Sequence, residues 1–250
     1  MIDAGSIEYA HARLCARFGE RPDELAWRRI ETVRDIVPML ETTRASALAA
    51  WIAGIAPDDG THAIERALRA HWHERVAAIA AWMPATWRAS IEWCAMLIDL
   101  PVVQHLARGG ASPGWLSDDP LRAALYDEHR RRPPGWPALL AAARANSDRV
   151  AELWRAEWDR RLPDPRDRTS LLEDTIHAIA DHWNAFRDPR ATDGRVLRQA
   201  LHARLSRLFR RATLDPAAAF IFLALSALDF ERLRGEILRR VAFPRLPLAE

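Results

Sequence analysis

His71, His73 and Glu74 lie within four residues of one another, and all three are types that ligate divalent metals. Their spacing works against a shared ion. Positions two apart on a helix point about 200° from each other, so His71 and His73 face different ways. His177, Asp181 and His182 are better placed, because residues four apart share a face. No HExxH pattern and no third ligand at fixed spacing accompany them, so the expectation is a polar helix face with no metal. The carboxylate pairs Asp58-Asp59 and Asp118-Asp119 fall in turns, where capping is the expected role. The chain has no GxSxG sequence, and Gly109-Gly110 is not followed by the Lys-Ser/Thr of a phosphate-binding loop. The expectation is a protein with no catalytic residue and no cofactor, which does not itself hydrolyse ATP.

The strongest charge feature is a run of arginines. Arg195, Arg198, Arg204, Arg207, Arg210 and Arg211 occur with no intervening acid, while Leu197, Leu201, Leu205, Leu208 and Phe209 supply an apolar stripe. Such a helix can face acidic protein, lipid headgroups or phosphates. These six arginines are the candidate partner-binding residues. Eleven tryptophans are present, nine of them in helical patterns: Trp27, Trp51, Trp72, Trp82, Trp87, Trp93, Trp154, Trp158 and Trp183. Most are expected in the core, with one or two left for an interface. They are not interleaved with a basic stripe, as a base-stacking platform would require.

Composition narrows the partners. Every basic residue except histidine is Arg, and Ala is abundant, a combination that fits a GC-rich coding bias. Net charge is only +2, well short of a general polyanion binder, so no nucleic-acid partner is expected. Cys15 and Cys94 form no spaced pair, and a reducing, cytoplasmic setting is expected. The opening MIDAGSIEYA lacks a basic-then-apolar signal pattern. The longest apolar run, residues 217–228, falls short of the roughly 18 residues of a membrane span.

The elements that must position these residues are helices. Ala, Leu, Arg and Glu dominate, and no sustained period-2 alternation rich in Val, Ile and Thr is found. The pattern predicts helices at about 5–18, 22–37, 39–55, 61–82, 84–108, 119–132, 137–162, 169–187, 193–211 and 216–241. Turn clusters separate them: PDDG at 57–60, GGASPG at 109–114, PPGWP at 133–137, LPDPRD at 162–167 and DPRATDG at 188–194. Ser170 and Glu173 have capping-box spacing. The Asp215-Pro216 pair opens the last helix, with the aspartate as cap and the proline in the first turn. That helix is apolar nearly all round in its first half, so burial on every side is expected there.

At its centre stand Asp229, Phe230, Leu233 and Arg234. This acidic–apolar–x–x–Leu–Arg pattern resembles the closing helix of the AC39 family of V-type and A-type rotary ATPase components, with Arg232 where the family has Asn. Earlier pieces are similar in order. Tyr9-x3-Arg13 followed by Arg17 resembles the opening helix, Leu40-x2-Thr43 a Leu-x-x-Thr turn, and Ile64-Glu65-x2-Leu68-Arg69 the next helix. Pro84-x3-Arg88 and Asp99-x3-Val103-x4-Arg108 complete the set, with Val102-Val103 in place of Asn-Leu. Residues 7–109 and 215–241 carry the resemblance and 113–214 carry little. The structural signature is thus Tyr9, Arg13, Glu65, Asp99, Arg108, Asp229, Leu233 and Arg234.

The resemblance implies an all-α, multi-helical, funnel-like array of similar lobes. The whole chain, 1–250, would be one helical subunit: a first lobe at 1–110, a shortened middle region at 113–190, and closing helices at 193–250. An internal echo accords with repeated lobes, since residues 91–108 and 221–239 each carry one central aspartate, Asp99 or Asp229, followed by basic residues. The implied function is that of a non-catalytic central-stalk component, seating the central shaft on the membrane ion-carrying ring. The implied partners are the central-stalk subunits and that ring. Membrane contact would run through partners only, at the cytoplasmic membrane. Two alternatives of other classes are an all-α cytosolic chaperone or scaffold that binds a client helix, and a nucleic-acid-binding regulator using the basic helix. The second lacks a helix-turn-helix.

Overall fold

The computed structural model describes residues 4–111, 136–187 and 193–243. Among these the chain is all-α, with no strand. Helices α1 (Ala4–Gly19), α2 (Glu24–Thr32) and α3 (Ile36–Arg44) are followed by a 3-10 turn, Ala49–Ile52, and the long α4 (Thr61–Trp82). Then come α5 (Ala85–Trp93), a 3-10 turn at Cys94–Asp99, and α6 (Leu100–Ala107). After the undescribed 112–135 follow α7 (Trp136–Ala145), α8 (Val150–Arg161), α9 (Ser170–Arg187), α10 (Gly194–Arg211) and α11 (Ala217–Ala242). The predicted helix at 119–132 and the Asp118-Asp119 pair lie outside the described residues.

Four expected helices are interrupted or displaced, each for a local reason. The predicted 22–37 segment stops at Thr32, where Val33 turns extended and α3 starts afresh behind Asp35. The predicted 39–55 segment ends at Arg44. Ser46 Oγ bonds the Thr43 carbonyl at 2.7 Å and accepts from Leu48 N–H at 3.1 Å, which offers the backbone a turn in place of a helix. Residues 84–108 break into α5, a 3-10 turn and α6, with Pro101 opening α6 because its missing N–H suits only a first turn. Residues 137–162 break at Asn146-Ser147-Asp148, residue types that favour turns over helix interiors. The cap of α9 is Thr169 rather than Ser170: its Oγ1 accepts from Leu172 N–H and donates to Asp215 Oδ1 at 3.0 Å. Asp215 in turn accepts from Ala217 N–H at 2.8 Å, so it caps α11 as expected.

α11 is the axis of the packing. It lies against α4, α10, α9, α1 and α3, and its first half is buried on all sides, from Ala217 to Leu223. One continuous apolar core joins α1 through α11. Trp27, Trp51, Trp72, Trp87, Trp93, Trp154 and Trp158 are buried in it, Trp82 is half-buried, and Trp183 is exposed. Trp72 and Trp51 both tilt against Phe230, and Trp158 meets Phe220 edge-on at 5.3 Å. Trp93 Nε1 donates to the Trp154 carbonyl at 3.1 Å and Trp154 Nε1 returns a bond at 3.4 Å, which fixes α5 to α8. A buried indole N–H is stabilised by such a partner.

Candidate functional site

Three of the signature residues, Glu65, Asp99 and Arg234, meet in one cluster, and Asp229 is buried in a second. Glu65 and Arg69, one turn apart on α4, bond each other at 3.2 Å. Arg69 also reaches the fully buried Asp99 and donates to the Ile98 carbonyl at 2.9 Å. Arg234 of α11 bonds Glu65 at 2.6 Å through Nε. His73 Nε2 stands 3.5 Å from Asp99 Oδ2. Residues from α4, the Cys94–Asp99 turn and α11 therefore form one ionic joint, and Leu233, next to Arg234 on α11, is fully buried. A second joint lies one turn earlier on α11. Arg21 donates through Nε and Nη2 to Asp229 Oδ2, at 2.9 and 2.7 Å, with both side chains nearly sealed from solvent. Burial pushes the Asp229 carboxyl up, against the pull of Arg21. Arg21 Nη2 also bonds His202 Nε2 at 3.1 Å. Arginine only donates, so His202 accepts with its neutral ring. Burial, then the charge of Arg21, pushes His202 down to about 4.

The internal echo is chemical but not geometric. Asp99 and Asp229 are both buried against a distant arginine, Arg69 of α4 for the first and Arg21 of the α1–α2 connection for the second. One lies at a break between helices, the other in the middle of α11. The remaining signature residues are superficial. Arg13 is exposed and lies over Tyr9 and Trp82, at 5.0 and 5.5 Å, while Arg108 pairs with Asp148 at the surface. Arg232 lies over Trp27 at 4.5 Å and bridges to Glu24 and Glu31, so it ties α11 to α2.

The arginines of α10 divide into two groups. Arg195 is drawn to Glu31 at 3.3 Å and Glu24 at 3.8 Å, and Arg198 lies over Phe186 at 5.8 Å. Arg204 pairs with Asp181 of α9 at 2.7 Å. Arg207, Arg210 and Arg211 are exposed and have no ion pair among the described residues. The apolar stripe turns inward as expected, with Leu201, Leu205, Leu208 and Phe209 buried and Leu197 half-buried. Between α9 and α10 a recess of about 370 Å³ is lined by Asp174, Arg204, Arg207, Leu208 and Arg211. Arg210 and Arg211 lie in the last turn of α10, a favourable placement for positive charge.

The histidines go to separate tasks. His71 bonds the Ala53 carbonyl at 2.9 Å and Glu74 at 3.2 Å, while His73 turns to Asp99. Asp181 goes to Arg204, and His182 packs edge-on against Phe186 at 4.8 Å. No group of three or more His, Cys, Asp or Glu gathers among the described residues. Asp59 closes the turn before α4 by accepting from Ala56 N–H at 2.8 Å. Cys94 is buried, and burial pushes its thiol up to about 12.

Sequence reasoning missed Arg21, His202 and Arg240. Arg240 is buried and donates to the carbonyls of Ile30, Glu31 and Val33, so it caps the end of α2. The only hint in the sequence is that Arg240 falls on the stripe of Leu233 and Ile237, at i+7 and i+3. No helix among the described residues is long and apolar enough to cross a membrane. The chain matches no protein-family model, and neither a curated protein nor a solved structure is found similar to it.

Proposed function

We propose that this chain is a non-catalytic central-stalk component of a V-type or A-type rotary ATPase, joining the central shaft to the membrane ion-carrying ring during ion transport or ATP synthesis. One observation carries the reading. Glu65 and Asp99 from the first part of the resemblance and Asp229 and Arg234 from its last part lie in ionic joints that fix α11 to the first hundred residues, the three carboxylates buried and Arg234 half-buried. Residues in a mechanical joint have this placement, whereas groups that act on a substrate must reach a cavity. A body that transmits torque needs packed helices that do not yield. The reading takes residues 1–110 as the first lobe, 113–190 as a reduced middle and 193–250 as the closing helices. The protein would be cytoplasmic, and its partners, the stalk subunits and the ring, would hold it at the membrane.

The exposed arginines at the end of α10, which have no ion pair among the described residues, favour a second reading, a helical scaffold that binds a client helix. Affinity purification of the tagged protein from membranes and from cytosol, with identification of what accompanies it, separates the two. Co-purifying stalk and ring proteins support the first. Recovery from cytosol alone, with unrelated clients, overturns it in favour of the second.

A further inference from the structure

We propose that the recess between α9 and α10 is the docking site for an acidic helical segment of a partner protein. The proposal rests on the reading of the chain as a docking component, but not on which machine the partner belongs to. Arg207 and Arg211 are one helical turn apart on the same face, both exposed and without an acidic partner among the described residues. Two guanidinium groups one turn apart match two carboxylates at i and i+4, or i and i+3, on a facing helix. Leu208 lies between them in sequence and is 6% exposed, so it gives the recess an apolar lining. The facing helix would therefore carry an apolar residue flanked by its carboxylates.

Two features favour protein over a polyanion. Asp174 stands in the lining among the arginines. Its carboxylate repels a continuous row of phosphates but accepts a hydrogen bond from a neutral or basic side chain beside the partner's acids. The basic face is also short. Glu24 and Glu31 neutralise Arg195, and Asp181 holds Arg204, so no stripe runs along α10 for a phosphate backbone to follow.

The probe is a fluorescein-labelled, helix-stabilised peptide of about fifteen residues, a length at which a helix becomes viable. It carries glutamates four apart around a leucine, and a second peptide has glutamine in their place. Fluorescence anisotropy with the full chain is expected to show saturable binding of the glutamate peptide only, weakening with salt. The Arg207→Glu/Arg211→Glu variant is expected to bind about tenfold or more weakly, Arg195→Glu to bind like the wild type, and Asp174→Asn to bind more tightly. Circular dichroism checks the fold, and Arg207→Gln/Arg211→Gln replaces the reversal if that variant does not fold. The proposal is overturned if the glutamate peptide does not bind, or binds the double variant equally well. It is overturned as well if vesicles of phosphatidylglycerol or a DNA duplex compete the peptide away and bind more tightly through the same two arginines. If the peptide binds but purification from membranes yields no stalk or ring proteins, the rotary assignment fails and the docking site stands.

Discussion

The arginines packed around α4 and α11 and those at the end of α10 are one side chain in two regimes. Arg21, Arg69 and Arg240 are buried, and each is met by carboxylates or carbonyls from a different part of the chain. Arg207, Arg210 and Arg211 are exposed, and no acid among the described residues forms an ion pair with them. Taking a guanidinium out of water costs several kcal/mol, so an arginine stays buried only where the fold supplies geometry and hydrogen bonds in full. An exposed one costs little and leaves its five donors for something else. Burial and pairing, rather than the count of arginines, separate those that build this molecule from those that can meet a partner.

The comparison breaks first at Arg21. Arg21→Met leaves the buried Asp229 carboxyl without the guanidinium bonded to it, with only the more distant charges of Arg75 and Arg232 acting on it, a change worth about 3–5 kcal/mol of stability. Urea unfolding monitored by circular dichroism measures it. The double variant Arg21→Met/Asp229→Leu is expected to recover most of that loss, because a well-packed apolar pair is close to neutral relative to a buried ion pair. A single variant that costs nothing would show that the joint does not hold α11 in place.

The same joint has a pH signature. His202 is neutral in the fold, pushed down to about 4 from 6.5. Its contribution to stability is therefore fully present above 6.5 and is lost as pH falls from there toward 4, where the unfolded chain binds the extra proton. Asp229 acts in the opposite sense. Its carboxyl is pushed up, so the contribution it makes when protonated is lost as pH rises through its folded value. The two are separated by difference. His202→Gln keeps an acceptor for Arg21 and cannot titrate, so its stability relative to wild type is expected to improve as pH is lowered from 6.5 toward 4. Unfolding curves at several pH values check the sign, and a constant difference would mean that His202 does not titrate with folding.

The sequence was legible where periodicity and caps decide structure. The predicted 61–82 helix is α4 at both ends, and the predicted 5–18, 169–187, 193–211 and 216–241 helices are right to within a residue or so. The interrupted helices were less legible, because Ser46 diverts the backbone through its own hydrogen bonds and Asn146 turns out of helical geometry, local effects that a window of Ala, Leu and Arg outvotes. Glu65, Asp99, Asp229 and Arg234 stood out only as part of a pattern, and the structure joins the first, second and fourth in one cluster. The partners that complete the joints, Arg21 and His202, are 208 and 27 residues from Asp229 in sequence, too far for any spacing rule. The six arginines of α10 looked equivalent as a run. Only the tertiary positions of Glu24, Glu31 and Asp181 reveal that Arg195 and Arg204 are already engaged.

The turn that joins the exposed helix to the buried one holds the next test. Leu214, between α10 and α11, has φ of 53° and is 47% exposed. An L side chain in the left-handed region costs roughly 1–2 kcal/mol, and glycine does not incur that cost. Glycine also gives the unfolded chain more freedom, so Leu214→Gly is expected to gain only about 0.5–1 kcal/mol. Thermal unfolding checks it. A lower melting temperature would mean that the Leu214 side chain contributes packing that outweighs the strained backbone.

The smallest expected effect on stability sharpens the comparison most. Arg207→Glu and Arg211→Glu each change a side chain with no acidic partner among the described residues, so each is expected to shift stability by no more than about 0.5 kcal/mol. The direction is a slight loss, because a carboxylate at the end of α10 opposes the helix dipole that the arginine favours. Asp174, which lines the recess with them, would add like-charge repulsion to either variant. Urea unfolding of both variants beside Arg21→Met tests whether burial and pairing separate the two regimes. Losses of several kcal/mol at Arg207 or Arg211 would show that the end of α10 is held by its own charges, and the recess would then belong to the fold rather than to a partner.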